Sequence, residues 1–192
     1  MMKLTYVLLA ANLVAFGLEM QFGDAFLTPL MLWPIGDGFK IWQLITSAFL
    51  HANFTHLATN MFGLWMFGRS VEDALGSRRF LLLYVASMLT ASATQLIVGS
   101  ILPNGGPTLG ASGALFGVLV AFAILFPKRT IILLFPPIPL PAGVFVFLYA
   151  LVELFSGVSG MQPGVAHFAH LGGLVGGIAL MQHWRYLSAV RK

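Results

Sequence analysis

Long apolar runs dominate this sequence. Set against the roughly 20 apolar residues that an α-helix needs to cross a hydrocarbon core, six segments stand out, at about 4–21, 55–74, 80–100, 110–127, 142–157 and 165–184. Only 8% of the 192 residues are charged, whereas a soluble domain carries about a quarter. That is too few to coat a water-facing surface, and a mean hydropathy of +0.90 also excludes disorder. The runs lack the lipid-facing and lumen-facing alternation of a membrane β-barrel. The reading is therefore a single all-α domain over 1–192, a bundle of six transmembrane helices embedded in lipid.

The chain has no cysteine, so disulfides, thiolate metal sites, thiol nucleophiles and lipidated cysteines are excluded. The net charge of +4 suggests no nucleic-acid partner, because the basic residues form no run or stripe. Their positions follow the rule that Lys and Arg collect on the cytoplasmic side. Lys3, Arg69, Arg78, Arg79, Lys128, Arg129, Arg185, Arg191 and Lys192 flank one set of helix ends, and Lys40 alone falls on the other. Both termini are thus expected to be cytoplasmic, with 22–54, 101–109 and 158–164 outside. Lys3 ahead of an apolar stretch would also suit a cleaved leader; no small-x-small site follows Leu18, so the segment is read as a retained span. An earlier start for the fifth span stays open, because 130–135 is apolar before Pro136, Pro137, Pro139 and Pro141 interrupt it.

Polar side chains inside spans are costly and mark functional sites by default. Here they are His56 and Asn60 on the second span, Ser112 on the fourth, and His167 and His170 on the sixth. These spans run in the same direction, so their N-terminal turns share one half of the membrane. Membrane helices approach closely through small residues four apart, as at Gly113 and Gly117, Gly172 and Gly176, and Gly173 and Gly177. Across such a seam Ser112 can meet His170, and an imidazole that takes a hydroxyl proton is the minimum for nucleophilic catalysis. Asn60, His56 and the Ser112 backbone N–H are suitable donors for a developing oxyanion. No Asp or Glu lies near His170 in sequence, which predicts a serine–histidine pair without a carboxylate. Each residue alone has an ordinary reading: a serine packing among glycines, a histidine bonded between helices, and His56 and Asn60 tying a loop. Their joint placement favours catalysis. No H-E-x-x-H pattern and no paired intramembrane aspartates are present, and neither a metal nor a cofactor is expected.

The same residues resemble the motifs of the rhomboid intramembrane serine proteases, over about 40–185. Gly110-Ala111-Ser112-Gly113 resembles the family's G-x-S-G, with Phe116 one turn on. Ala169-His170-Leu171-Gly172-Gly173 resembles A-H-x-x-G, His56 to Asn60 resembles H-x-x-x-N, and Gly68 with Glu72 fits G-x-x-x-E. The resemblance implies Ser112 as nucleophile and His170 as base. It also implies an oxyanion hole of His56, Asn60 and Ser112, with Gly110, Gly113, Phe116 and Gly173 in support. His167 also follows an alanine, but His170 stands where the glycine should be, so the base is assigned to His170 and His167 to packing or tethering. Gln43 follows Trp42 where the family usually has Arg, which bears on loop stability. Glu72 is read as a brace at the second helix's inner end, and Glu153 as structural or gate-related. The implied substrates are transmembrane proteins with small or helix-breaking residues near the site, entering sideways between spans two and five. Six spans without a large appendage resemble the compact bacterial form, implying a bacterial inner membrane with the site open to the outer side. The alternatives are an inactive rhomboid-like factor that binds membrane proteins, and a small transporter, which would call for internal repeats.

Overall fold

The computed structural model describes residues 2–101, 106–133, 136–161 and 165–190, with side chains as far as residue 187. Helix α1 (Leu4–Phe22) leads into two short helices, α2 (Asp24–Leu30) and α3 (Gln43–Thr46), and a 3-10 turn at Ser47–Phe49. The next rod is built from α4 (Phe54–Gly63), a π-helical turn (Leu64–Gly68) and α5 (Arg69–Leu75), and the backbone stays helical through both junctions. Then come α6 (Ser77–Ile101), α7 (Ser112–Leu125), strands β1 (Thr130–Ile132) and β2 (Pro139–Pro141), α8 (Ala142–Ser159) and α9 (His167–Val190). The protein is an all-α membrane bundle. By length and hydropathy, α1, α6 and α8 each suffice to cross a bilayer. Exposed Leu13 and Val14 on α1, Ile97 on α6, and Phe147 and Phe155 on α8 give these rods apolar outer faces, as lipid contact requires.

At 14 residues, α7 is only about 21 Å long at 1.5 Å per residue, short of the hydrocarbon thickness. It occupies the centre: Gly113, Ala114 and Phe116 to Ala123 are all buried. A short, enclosed helix starts inside the bundle instead of at its rim, and its first residue is Ser112. Two glycine faces of α9 hold the centre together. A methyl group at Gly172 or Gly176 would strike Thr94 or Thr90 of α6; one at Gly173 or Gly177 would strike the Gly113 carbonyl or the Gly117 backbone of α7. Backbones approach this closely only where side chains are missing.

The start of the fifth helix is settled by proline chemistry. Thr130–Ile132 pairs antiparallel with Pro139–Pro141, Ile131 opposite Leu140, and α8 begins at Ala142. A helix cannot run back through Pro141 and Pro139, which lack N–H donors and clash with the preceding turn. Residues 134–135 of that apolar run, 102–105 and 162–164 of two loops, and Arg191 and Lys192 of the basic tally lie outside the described residues.

At the end of the bundle remote from Ser112, Glu72 accepts hydrogen bonds from the Leu4 and Thr5 N–H groups and from the Thr5 and Ser77 hydroxyls. One buried carboxylate thus ties the start of α1 and the start of α6 to α5. Lys3 adds an ion pair with Asp73 at 2.7 Å.

Candidate active site

Asn53 starts α4: its side-chain oxygen accepts from the His56 N–H at 2.8 Å, satisfying a donor that has no intrahelical partner. That cap sets His56 in the first turn and Asn60 one turn below it. His56 Nδ1 accepts from the Ala52 N–H at 3.4 Å, so in the neutral ring the proton sits on Nε2, where it is available as a donor. The Asn60 amide donates to the His56 carbonyl at 2.9 Å; that bond uses one of its two N–H groups.

The segment before α7 is held from two sides. Leu32 and Thr108 exchange a pair of 2.9 Å backbone hydrogen bonds, and the Gly110 N–H donates to the Ser47 carbonyl at 2.8 Å. Gly110 has φ +129°, and a Cβ there would lie 2.9 Å from His56 Nε2. Both the conformation and the close approach demand glycine. The bend delivers Ser112 to the first turn of α7, facing α9.

Across the glycine seam, Ser112 Oγ and His170 Nε2 are 2.7 Å apart. The His170 ring, 8% exposed, stacks on Phe116 with centroids 4.6 Å apart and planes 10° from parallel, which fixes its tilt. Phe116 in turn packs on Tyr149 of α8 at 4.8 Å. Ser112 and His170 open onto a cavity of about 830 Å³. His56, Asn60 and Phe67 line one side, and Phe145 and Tyr149 of α8 the other.

Of the residues singled out in the sequence, Ser112, His170, His56 and Asn60 share this cavity, Gly110 touches the His56 ring, Gly113 and Gly173 form the seam, and Phe116 carries the imidazole. Gln43 is buried and braces its loop: it accepts from the Trp33 and Lys40 N–H groups at 3.2 and 3.1 Å and donates to the Pro29 carbonyl at 3.3 Å.

One expectation needs correcting. His170 does have a carboxylate beside it: Glu153 Oε2 lies 2.9 Å from His170 Nδ1, off the line of the ring N–H, and 2.7 Å from His167 Nδ1. Seventeen positions upstream and on another helix, Glu153 is far from His170 in sequence, and only the packing of α8 on α9 brings them together. His51, buried and edge-on to His56 at 5.1 Å, is another neighbour that no motif marked. Glu153, His167 and His170 place one ligand atom each within 4.8 Å of one another, donor types that suit zinc. Separations of 2.7 and 2.9 Å are hydrogen-bond distances, however; ligands of a tetrahedral zinc stand about 3.3 Å apart.

An all-α membrane bundle with a hydroxyl and an imidazole joined across a glycine seam, beside an open cavity, defines a polytopic membrane protein with a polar centre. Residues 38–186 match the rhomboid domain. The chain is 37% identical to Rhomboid protein 1, mitochondrial, of Saccharomyces cerevisiae over 99% of its own length and 55% of that protein. It is 33% identical to Rhomboid protease GluP of Bacillus subtilis, covering 71% of the chain and 24% of the relative. It is 34% identical to Presenilin-associated rhomboid-like protein A, mitochondrial, of Danio rerio, covering 70% and 35%. This chain belongs to the rhomboid family. It spans about half the length of these relatives or less.

The relatives also overturn the placement in a bacterial inner membrane. Yeast, zebrafish and Arabidopsis thaliana proteins among them are named as mitochondrial, so that placement is withdrawn, and the cytoplasmic and outer labels on the two faces fall with it. Apolar spans and flanking charges report membrane insertion; they do not distinguish one membrane from another of similar thickness.

Proposed function

We propose that this chain is an intramembrane serine endopeptidase, hydrolysing peptide bonds in or beside the transmembrane helices of membrane-protein substrates. The observation that carries the reading is the 2.7 Å contact between Ser112 Oγ and His170 Nε2 at the wall of the cavity. In the proposed reaction Ser112 Oγ bonds to the scissile carbonyl carbon while its proton passes to His170 Nε2. The carbonyl oxygen takes the displaced electron pair, and its charge is met by the Ser112 N–H, the His56 Nε2–H and the Asn60 amide. As the tetrahedral species collapses, the C–N bond breaks and His170 returns the proton to the leaving nitrogen. Water then loses a proton to His170 and attacks the ester, and the departing Ser112 oxygen recovers that proton.

A helical substrate hides its scissile carbonyl in a hydrogen bond, so a cleavable segment must unwind, which favours small or helix-breaking residues. The space between the second span and α8, lined by Phe67, Phe145 and Tyr149, suits a segment arriving sideways from lipid. The test is labelling with a fluorophosphonate, alongside cleavage of a transmembrane substrate in liposomes. Parent protein labels and cleaves; Ser112→Ala does neither. Cleavage by Ser112→Ala at the parent rate would sink the reading.

A further inference from the structure

We propose that Glu153 is a positioning residue that holds the single proton of the resting His170 ring on Nδ1, with His167 supplying the proton that lets it do so. The proposal rests on the reading of Ser112 and His170 as nucleophile and base.

The argument is a count of protons at buried atoms. His167, His170 and Glu153 are 6, 8 and 4% exposed, so a close contact between two of their polar atoms is favourable only where one of the two carries a proton. There are three such contacts: His167 Nε2 to the Met161 carbonyl at 3.1 Å, His167 Nδ1 to Glu153 Oε2 at 2.7 Å, and His170 Nδ1 to the same Oε2 at 2.9 Å. The carbonyl can only accept, so His167 Nε2 carries a proton. A cluster of two imidazoles and one carboxyl with no net charge, the inexpensive state for a buried site, owns three protons. All three are consumed by the three contacts. None is left for His170 Nε2, which therefore faces the Ser112 hydroxyl with its lone pair.

The middle proton can sit on His167, giving an imidazolium–carboxylate pair, or on Glu153. Either way the one proton of a neutral His170 is on Nδ1. The alternative, a bare His170 Nδ1, would set two lone pairs 2.9 Å apart. His170 Nδ1 makes no hydrogen bond of good geometry among the described residues, and the polar atom set against it is Glu153 Oε2.

Free imidazole offers both tautomers, and only one of them can take the Ser112 proton. Packing by Phe116 fixes the tilt of the ring but has no say in where its proton sits. When His170 takes the Ser112 proton on Nε2 its ring becomes cationic, and the adjacent carboxyl group then also offsets charge. His167 thus acts through Glu153, and Glu153 acts through His170.

The test uses the full chain in lipid nanodiscs with 15N-labelled histidine, reading the ring-nitrogen signals that vanish in His170→Gln. The parent protein is expected to show a protonated Nδ1 and an unprotonated Nε2. In Glu153→Leu the two nitrogens become exchange-averaged, and kcat falls about 10²-fold with KM within a factor of about two. Glu153→Gln, which keeps an acceptor oxygen, recovers about tenfold of that loss. Should Glu153→Leu fail to fold, the double variant Glu153→Leu/His167→Leu removes both halves of the buried pair and is expected to give the same loss of kcat. A protonated Nε2 in the parent, or parent-like kcat in a folded Glu153→Leu or double variant, overturns the proposal. The tautomer is read without turnover, so a parent protein that neither labels nor cleaves would refute the protease reading alone.

Discussion

Gly173 of α9 sits directly on the carbonyl oxygen of Gly113 of α7, so closely that no side-chain carbon fits between them. Ser112 is the residue before Gly113, and His170 lies one turn before Gly173. The distance between hydroxyl and imidazole is thus set by two backbones in contact, not by adaptable side chains.

Gly173→Ala should therefore pry α7 from α9 and separate Ser112 from His170. A misplacement of about 1 Å costs on the order of 10²-fold in rate, and the fluorophosphonate labelling rate is expected to fall by that factor. Gly99→Ala on α6, where an added methyl meets nothing within 4 Å, should label at the parent rate. Equal rates for both variants would remove the seam as the cause.

This seam was legible in the sequence because glycines four apart and polar residues on N-terminal turns are local patterns. Hydropathy revealed the all-α class in the same way. Glu153 was not legible as a partner of His170, since their contact depends on how α8 is rotated against α9. The hairpin at Thr130–Ile132 was missed because an apolar run alone does not separate strand from helix; the prolines that follow decided it. Glu72 reads as a brace from its place in the G-x-x-x-E pattern, but that it braces the start of α1 depends on how α1 packs against α5, which no local pattern encodes.

Asn60 and His56 face the cavity from α4 and are expected to stabilise the oxyanion. Asn60→Ala should lower kcat by about 10²-fold, as for loss of a single oxyanion donor, with the fluorophosphonate rate falling in parallel. Far-ultraviolet circular dichroism should be unchanged, because the side-chain bond from Asn60 returns to its own helix. Turnover at the parent level would assign the oxyanion hole to other groups.

Removing the Glu72 carboxylate should affect stability and spare the chemistry. Its four donors, two of them backbone N–H groups at the start of α1, would be left unpaired, a loss of about 3 kcal/mol when bonds to a buried charge are broken. Glu72→Ala is expected to lower the Tm in detergent by several degrees while kcat of the folded fraction stays at the parent value. An unchanged Tm would mean that water replaces the carboxylate.

Gln43 offers a contrary expectation. Restoring the arginine usual in the family should harm this chain, since Gln43 is 2% exposed and its oxygen accepts from two backbone N–H groups. Arginine has no acceptor, so Gln43→Arg leaves both orphaned and adds a buried charge. Faster proteolysis between residues 31 and 42 is expected, by about tenfold for each 1.4 kcal/mol lost locally. Slower proteolysis would show that the loop re-forms around the guanidinium.

His51 makes the stability of the loop ahead of α4 depend on pH. It is 2% exposed, and burial, followed by the neighbouring His56, pushes its pKa down to about 4 against a smaller opposing pull from the Phe49 backbone. An unfolded histidine titrates near 6.5, so between those values the unfolded chain binds the additional proton and stability falls as pH falls. Above about pH 6.5 the effect is absent; at pH 4 it approaches 3 kcal/mol as an order of magnitude. His51→Leu removes the titrating group, so its Tm should decline less than that of the parent between pH 6.5 and 4, with the two curves parallel above pH 7. Parallel curves throughout would mean that the loop admits water to the ring on protonation, and that the acid sensitivity of the fold lies elsewhere.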